Sequence, residues 1–220
     1  MPTASGEMYE PLVFSQRWDQ PFQLACKRTL DVVLSVFSLL LAAPLLLILG
    51  LLVKLTSPGP IFYHWKVVGK NGRSFVGYKI RSMVVNADEL KSQLEHRNEM
   101  TGPVFKIEGD PRITAVGSWM RRYSLDELPQ LYSVFKGDMS MVGPRPPLQT
   151  EYERFTEYQK QKLAVKPGIT CLWQVSGRNQ VSDFNEWVRL DLEYIRCWSI
   201  WLDLQILLKT TGAVLSGSGK

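Results

Sequence analysis

The sequence predicts an α+β fold, mostly helical, in which a cytosolic domain follows a membrane helix near the N-terminus. An uncharged run of 22 residues at positions 32–53 has the length of a membrane-inserted helix. Two segments rich in β-branched and aromatic residues follow it and flank an Asn71-Gly72 pair, which is typical of a β-hairpin. Several polar or periodically apolar segments after residue 85 favour helices.

Pro44 lies in the middle of the apolar run, where it removes a backbone donor and clashes with the carbonyl of Leu40. Basic residues flank both ends of the run, so a straight span would place one cluster on the wrong side under the positive-inside rule. We therefore expect a proline-broken, re-entrant helix that enters and leaves on the cytoplasmic face, in preference to a simple span. The flanking residues are Lys27 and Arg28 before the run, and Lys54, Lys66, Lys70 and Arg73 after it.

The composition shifts divide the chain into four parts. Residues 1–21 are polar and contain prolines, which predicts a flexible N-terminus. Residues 22–56 form the membrane-inserted helix–break–helix, residues 57–212 the main cytosolic domain and residues 213–220 a flexible tail. The three cysteines are far apart and form no CxxC pair, so the sequence indicates neither a disulfide framework nor a zinc site.

The later helical segments have distinct patterns. Asn86 is placed to cap a polar helix, and a second polar helix is predicted from Gln149 to Ala164. The segment at 169–179 favours a strand or an extended loop. A long helical pattern from Ser182 carries an aromatic stripe that fits a protein core, an interfacial helix at the lipid headgroups or a homodimer contact. The stripe consists of Trp187, Leu190, Tyr194, Trp198 and Trp201.

The stretch RRYSLDELPQ, residues 121–130, places two acids beside two arginines, and we expect one helix to end near Tyr123 and another to begin at Ser124. Ser124 and Glu127 have the spacing of a capping box, so helix capping alone is one interpretation of the acids. Unpaired N–H groups at a helix N-terminus also favour phosphate. Adjacent helical positions diverge by about 100°, so Asp126 and Glu127 would serve different partners, one attacking and one holding a metal.

Arginines near this stretch suit phosphate, because the planar guanidinium donates two parallel hydrogen bonds. Arg121 and Arg122 precede the acids, and Arg145 is held between prolines in VGPRPP, although a rigid surface turn would look the same. The net charge of +5 favours an acidic partner, which could be nucleic acid, anionic lipid or a phosphorylated substrate. The two histidines, His64 and His96, support neither a hydrolase triad nor a histidine metal site.

The order of the motifs closely resembles the bacterial sugar transferases, the monotopic phosphoglycosyl transferases, in their short form. The resemblance extends from about Ala25 to Thr211. The motifs are KRTLD, a proline-broken membrane helix, TSPGPIF, YKIRSM, SLDELPQL, KGDMSMVGPRPP, KPGITCLWQVSGRN and WLDLQILLKT. In one departure, the chain has Ala43-Pro44 where many small members have Ser-Pro.

The resemblance implies transfer of a sugar 1-phosphate from a UDP-sugar to polyprenyl (undecaprenyl) phosphate, which initiates synthesis of an exopolysaccharide or another surface glycan. Asp126 matches the family's nucleophile, which forms an aspartyl phosphosugar and releases UMP. Glu127 would help to hold Mg²⁺. The LWQVSGR and KPGIT segments resemble members that use glucose or galactose, and an N-acetylated sugar stays open.

The resemblance also assigns the cations and the location. Arg121 and Arg145 match arginines near the substrate phosphates. Lys79 and Arg81 of YKIRSM match a further basic motif, and we expect these two residues to bind the substrate phosphates as well. The catalytic domain, residues 57–212, would lie on the cytoplasmic face of the bacterial inner membrane, in contact with its lipid.

Two functions of other classes compete with the enzyme. A non-catalytic, membrane-anchored scaffold of a glycan assembly complex would need no metal and would tolerate Asp126→Asn. A nucleic-acid binder would depend on net charge alone, because the chain carries no recognisable binding motif, so we expect no nucleic-acid partner.

Overall fold

The computed structural model describes residues 12–176 and 183–217 and has the α+β, mostly helical fold that the sequence predicts. The α-helices are α1 (Pro21–Thr56), α2 (Ala87–Lys91), α3 (Ala115–Arg122), α4 (Gln130–Lys136), α5 (Gln149–Tyr152), α6 (Glu157–Lys160), α7 (Leu172–Val175), α8 (Phe184–Cys197) and α9 (Ile200–Leu215). The strands are β1 (Phe62–Val68), β2 (Ser74–Ile80), β3 (Ser140–Val142) and β4 (Gly168–Thr170). Short 3₁₀ segments lie at Gln16–Asp19, Lys70–Gly72, Ser92–Arg97, Leu125–Glu127 and Gln161–Ala164.

Helix α1 is continuous over 36 residues, so the predicted break at Pro44 is wrong. A proline costs a helix about 3 kcal/mol, and the surrounding leucines and alanines are strong helix formers that keep the helical backbone on both sides. The helix is long and apolar enough to cross a membrane, and only a small part of its apolar run is buried. In its C-terminal part, Leu49 and Val53 pack with Ile80 and Met120. In its N-terminal part, Lys27 and Asp31 are buried against the rest of the fold.

The hairpin prediction is confirmed. Strands β1 and β2 pair antiparallel, with Phe62 opposite Ile80 and Val68 opposite Ser74. Asn71 and Gly72 have positive φ angles of 57° and 76°, and asparagine and glycine are the residues that adopt this conformation most readily.

Strands β3 and β4 form a small parallel sheet, with Ser140 opposite Gly168 and Val142 opposite Thr170. A Cβ atom on Gly168 would lie 2.1 Å from the backbone nitrogen of Gly143, so only glycine permits this close approach. Strand β4 begins the segment predicted to be extended, but α7 follows it, and residues 177–179 lie outside the described part of the chain.

The aromatic stripe is divided between two helices, so the prediction of one long helix is wrong. Trp187, Tyr194 and Trp198 are buried in the main core, whereas Trp201 is 67% exposed. Helix α8 ends at Cys197 because Ser199 starts α9, with its Oγ accepting a hydrogen bond from the N–H of Leu202.

The polar helix predicted from Gln149 to Ala164 is likewise interrupted. Helix α5 ends at Tyr152, with Glu153 as its C-cap. Thr156, three residues after Glu153, forms a reciprocal capping box with Gln159 and thereby starts α6. Asn86 precedes α2 as predicted, but its side chain makes no capping hydrogen bond.

Parts of the predicted flexible N-terminus and of the predicted flexible tail take part in the fold. The Trp18 ring stacks on Trp198 at 4.1 Å, and its Nε1 donates to the carbonyl of Ile195 at 3.0 Å. Helix α9 continues to Leu215, which lies inside the predicted tail. Residues 1–11 and 218–220 lie outside the described part of the chain.

A buried ion pair joins the start of α1 to α9. Lys27 Nζ lies 2.6 Å from Asp203 Oδ2, and Asp203 also accepts hydrogen bonds from Tyr194 and Trp198. This network fixes α1 relative to the main core.

Candidate active site

A cavity of about 210 Å³ collects three of the predicted site residues from separate parts of the chain. Lys79 projects from β2, Glu127 from the 3₁₀ turn and Arg145 from the loop after β3. Non-local packing therefore brings together two cations and a carboxylate that are up to 66 residues apart in sequence (145 − 79).

The turn that carries the acids differs from the predicted capping box. Ser124 has a left-handed backbone with φ of 54°, and its side chain caps nothing. Its backbone carbonyl accepts the N–H of Glu127 at 3.2 Å, while the Glu127 side chain bonds elsewhere. The acids thus lie on a three-residue 3₁₀ turn, and α4 begins after Pro129, where a proline's missing N–H is not needed.

Asp126 is buried, with a relative exposure of 5%. The Ser82 hydroxyl donates to its Oδ2 at 3.4 Å. Burial raises the pKa of the Asp126 carboxyl, the charge of Glu127 adds to that effect, and Lys79 and Arg121 act against it. Loss of water therefore raises the free energy of the Asp126 anion, and the nearby cations offset only part of that rise.

Lys79 and Glu127 form the ion pair at the cavity, with 2.7 Å between Nζ and Oε1. The Lys79 ammonium also lies 5.1 Å from the centre of the Trp65 ring. That ring covers Gly77, where a Cβ atom would come within 2.9 Å of it. The hairpin thus presents an aromatic ring and a cation to the same cavity.

Arg145 is held by its backbone between prolines, and its guanidinium carbon lies 5.9 Å from the centre of the Trp173 ring. Among the described residues its side chain has no hydrogen-bond or ion-pair partner, so its donors are available to a ligand. Cys171 also lines the cavity, but burial raises the pKa of its thiol to about 12. The thiol is therefore neutral at physiological pH and poorly suited to attack.

Asp126 is not part of the cavity lining, although its neighbour Glu127 is, and the remaining predicted residues also lie outside it. Arg81 is buried and donates through Nη2 to the carbonyl of Ser57 at 2.9 Å and through Nη1 to that of Pro58. It therefore fixes the chain leaving α1. Arg121, in the last turn of α3, acts on Asp126 through its charge, and Pro44 lies within α1.

No group of three or more histidine, cysteine or acidic side chains is arranged for a metal among the described residues. The cavity does hold two carboxylates, Glu127 and Glu151, the second of which accepts the N–H of Leu148 at 2.9 Å. Mg²⁺ commonly binds one or two carboxylates and takes its other ligands from water and substrate phosphates. The residues present fit that mode of binding.

Sequence reasoning missed Ser82 and Trp65. Ser82 directly follows Arg81 in the basic motif, so its position was visible although its contact with Asp126 was not. Trp65 is one of several aromatic residues in β1, and this composition indicates a strand. The composition does not show which face of the strand lies against the cavity.

The comparisons with known proteins match nearly the whole chain. The family model described as bacterial sugar transferase matches residues 22–217. The chain is 46% identical over 213 residues to the galactosyl transferase CpsE of Streptococcus agalactiae serotype III, covering 97% of this chain and 47% of that protein. It is 45% identical over 197 residues to the undecaprenyl-phosphate galactose phosphotransferase of Salmonella typhimurium, covering 88% and 41%.

A shorter relative matches over most of its own length. The chain is 40% identical over 204 residues to the exopolysaccharide production protein ExoY of Rhizobium meliloti, covering 91% of this chain and 90% of that protein. It spans less than half of the first two relatives. With the family model matched from residue 22 to residue 217, the chain belongs to the bacterial sugar transferase family.

Proposed function

We propose that this chain is a phosphoglycosyl transferase that transfers a hexose 1-phosphate from a UDP-sugar to undecaprenyl phosphate. The observation that carries the proposal is the buried Asp126, which feels the charges of Lys79 and Arg121 and directly precedes Glu127, a residue that lines the cavity together with Lys79 and Arg145. A nucleophilic carboxylate and cations for a diphosphate are what this reaction needs. The family and the name of the Salmonella relative support undecaprenyl phosphate as the acceptor.

The reaction proceeds in two displacements at one phosphorus atom. An Asp126 carboxylate oxygen attacks the phosphorus that carries the sugar, the bond to the bridging oxygen breaks, and UMP leaves with the electron pair. An oxygen of the lipid phosphate then attacks the aspartyl phosphosugar, and the Asp126 carboxylate is regenerated. Burial suits Asp126 to this role, because a carboxylate without its hydration shell gives up less solvation on attack.

The cations of the cavity neutralise the phosphates. Arg145 offers a planar fork with no protein partner among the described residues, which matches a pair of phosphate oxygens. Lys79 can exchange its bond to Glu127 for one to a phosphate oxygen. Glu127 would then be the residue that holds Mg²⁺, an ion that neutralises the diphosphate charge when it is bound.

We further infer that the active site faces the cytoplasm and that α1 enters and leaves on that face. Basic residues at both ends of its apolar run support this topology. Because α1 is an unbroken helix, the topology requires it to bend in the membrane, and Pro44, which lacks an N–H for the helical hydrogen bond, is the position at which we expect the bend. The test uses single cysteines at Gln20 and Thr56 in a chain without its native cysteines, labelled from outside intact cells with an impermeant maleimide. A re-entrant helix protects both positions, whereas a spanning helix exposes one of them.

The relatives named for galactose transfer and for exopolysaccharide production support a hexose donor and a role in exopolysaccharide synthesis. The deciding experiment measures UMP release by the purified chain with Mg²⁺, polyprenyl phosphate and a panel of UDP-sugars. We expect release from one UDP-hexose, complete loss in Asp126→Asn and no change in the exposed control Glu157→Gln. Intact-protein mass spectrometry without acceptor should detect one added hexose phosphate.

A folded wild-type chain that releases no UMP from any donor would favour the scaffold function. Release that survives Asp126→Asn would keep the enzyme and remove Asp126 as its nucleophile.

A further inference from the structure

A larger cavity, of about 560 Å³, lies where the start of α1 meets the turn between β1 and β2 and the loop before β4. Its lining and that of the active-site cavity have no residue in common. Four cations from three segments line it: Lys27, Arg28, Lys70 and Lys166.

Two of these cationic groups converge on one point. A Cβ atom built on Gly137 would lie 3.3 Å from Arg28 Nη2 and 3.5 Å from Lys166 Nζ. Arg28 is held by two carbonyls at the end of α4, donating to Val134 at 2.8 Å and to Phe135 at 2.6 Å. Carbonyls orient the guanidinium without cancelling its charge.

Lys166 is half-buried, and among the described residues its ammonium has no hydrogen-bond or ion-pair partner. Burial and the charges of Arg28 and Lys70 lower the pKa of Lys166. The acids that act on it, Asp31 and Asp138, do not reverse that direction. Like charges gathered in this way favour an anion between them.

The acidic side chains near the cavity are mostly engaged. Asp203 pairs with Lys27, and Asp31 accepts hydrogen bonds from the Ser140 hydroxyl and the Met141 N–H at 2.9 and 2.8 Å. Asp19 also lines the cavity, on its exposed side. Arg28, Lys70 and Lys166 are therefore the three cations without a carboxylate ion pair among the described residues of this lining.

The rest of the lining is apolar and lies next to the membrane helix. Phe14, Trp18 and Leu24 form this part, and Phe14 and Leu24 are 43% and 38% exposed. The uncharged run begins at residue 32, and Lys27 and Arg28 lie about one helical turn before it. The cavity therefore lies where the apolar part of α1 gives way to polar chain, which is the level of lipid headgroups.

We propose that this cavity binds the phosphate headgroup of an anionic phospholipid, with Arg28, Lys70 and Lys166 around the phosphate and the apolar side chains along the start of the acyl chains. Cations beside an apolar surface match a phosphate that carries hydrocarbon better than a free phosphate ion. The proposal does not depend on the chain's catalytic activity, because the two cavities are lined by different residues.

The test measures binding to the full chain in a neutral detergent by thermal unfolding and native mass spectrometry. Phosphatidylglycerol, phosphatidylcholine and inorganic phosphate are added separately. We expect phosphatidylglycerol alone to raise the unfolding temperature, and the variant Lys70→Gln/Lys166→Gln to bind it roughly tenfold more weakly. The matched control Lys66→Gln/Lys209→Gln, which removes the same charge at exposed positions, should bind as the wild type does.

Equal loss in the control, or equal binding of phosphatidylcholine, would overturn the proposal in favour of unspecific attraction. A rise of the same size with inorganic phosphate would overturn the assignment to a lipid. The KM of the lysine double variant for polyprenyl phosphate should equal that of the wild type. A raised KM would instead assign the cavity to the acceptor.

Discussion

The ammonium of Lys79 on β2 lies 2.7 Å from the carboxylate of Glu127 on the 3₁₀ turn, and both side chains line the active-site cavity. They are only 25% and 17% exposed, so the pair is shielded from bulk water. The contact keeps a cation and a candidate metal ligand in the same cavity before any phosphate enters. When a substrate binds, the Lys79 ammonium can pair with its phosphate in place of Glu127.

Replacing Lys79 by methionine should remove a charge-assisted contact to the diphosphate. Such a bond contributes about 1.5–3 kcal/mol, which corresponds to a roughly 10- to 100-fold fall in kcat/KM. The measurement is UMP release at several donor concentrations. The control is Lys66→Met, on the exposed part of β1, and an equal loss in that control would contradict a specific role for Lys79.

Asp126→Asn should abolish UMP release and yet stabilise the folded chain at neutral pH. Folding raises the pKa of this carboxyl above its ordinary value of 3.8, so the folded state holds the proton more tightly than the unfolded chain. The free energy of unfolding therefore falls as the pH rises from about that value through the pKa of the folded state.

The asparagine variant lacks this penalty, so its advantage in stability should grow as the pH rises above the unfolded pKa and should disappear below it. Each kcal/mol regained raises Tm by roughly 2 to 4 °C in a chain of this size. Thermal melts of both proteins across the acidic range measure the effect. A variant that melts below the wild type at pH 7 would contradict the unfavourable burial of this charge.

Arg81→Met should destabilise the protein without changing the KM for the UDP-sugar in the molecules that stay folded. The guanidinium serves the carbonyls of Ser57 and Pro58, and loss of a charged hydrogen bond costs about 1.5–3 kcal/mol. Arg73→Met, at an exposed turn position, is the matched control for stability. An increased KM for the donor with unchanged Tm would restore the phosphate-binding role that the motif predicts.

Gly117 and Gly212 offer a matched test of the packing behind Asp126. A Cβ atom on Gly117 would lie 1.9 Å from the carbonyl oxygen of Ser82, whereas one on Gly212 would meet nothing within 4 Å. Gly117→Ala should cost about 1–3 kcal/mol through overpacking and should lower UMP release by moving Ser82. Gly212→Ala, inside α9, should be neutral or stabilise by about 0.4–1 kcal/mol.

The Tm and UMP release of both alanine variants provide the comparison. Wild-type activity in Gly117→Ala would show that the contact between Ser82 and Asp126 is not needed for catalysis.

The amino-acid sequence by itself determined the features that depend on near neighbours. The turn chemistry of Asn71-Gly72 predicted the hairpin, the length and composition of the apolar run predicted a long helix, and the prolines around Arg145 predicted a segment outside helices and strands. The order of the motifs identified the family, because each motif is read along the chain.

Only the tertiary structure decided which groups each side chain meets. Ser124 took a left-handed turn in place of a cap, Arg81 bonded to carbonyls behind α1, and Ser82 was placed against Asp126. These outcomes depend on contacts between segments far apart in sequence. A polar side chain has several possible partners of similar energy near it in the sequence, and the folded structure favours the partner that satisfies its hydrogen bonds once it is buried. The local sequence pattern determines where helices, strands and turns form, whereas tertiary packing determines which groups the charged side chains contact.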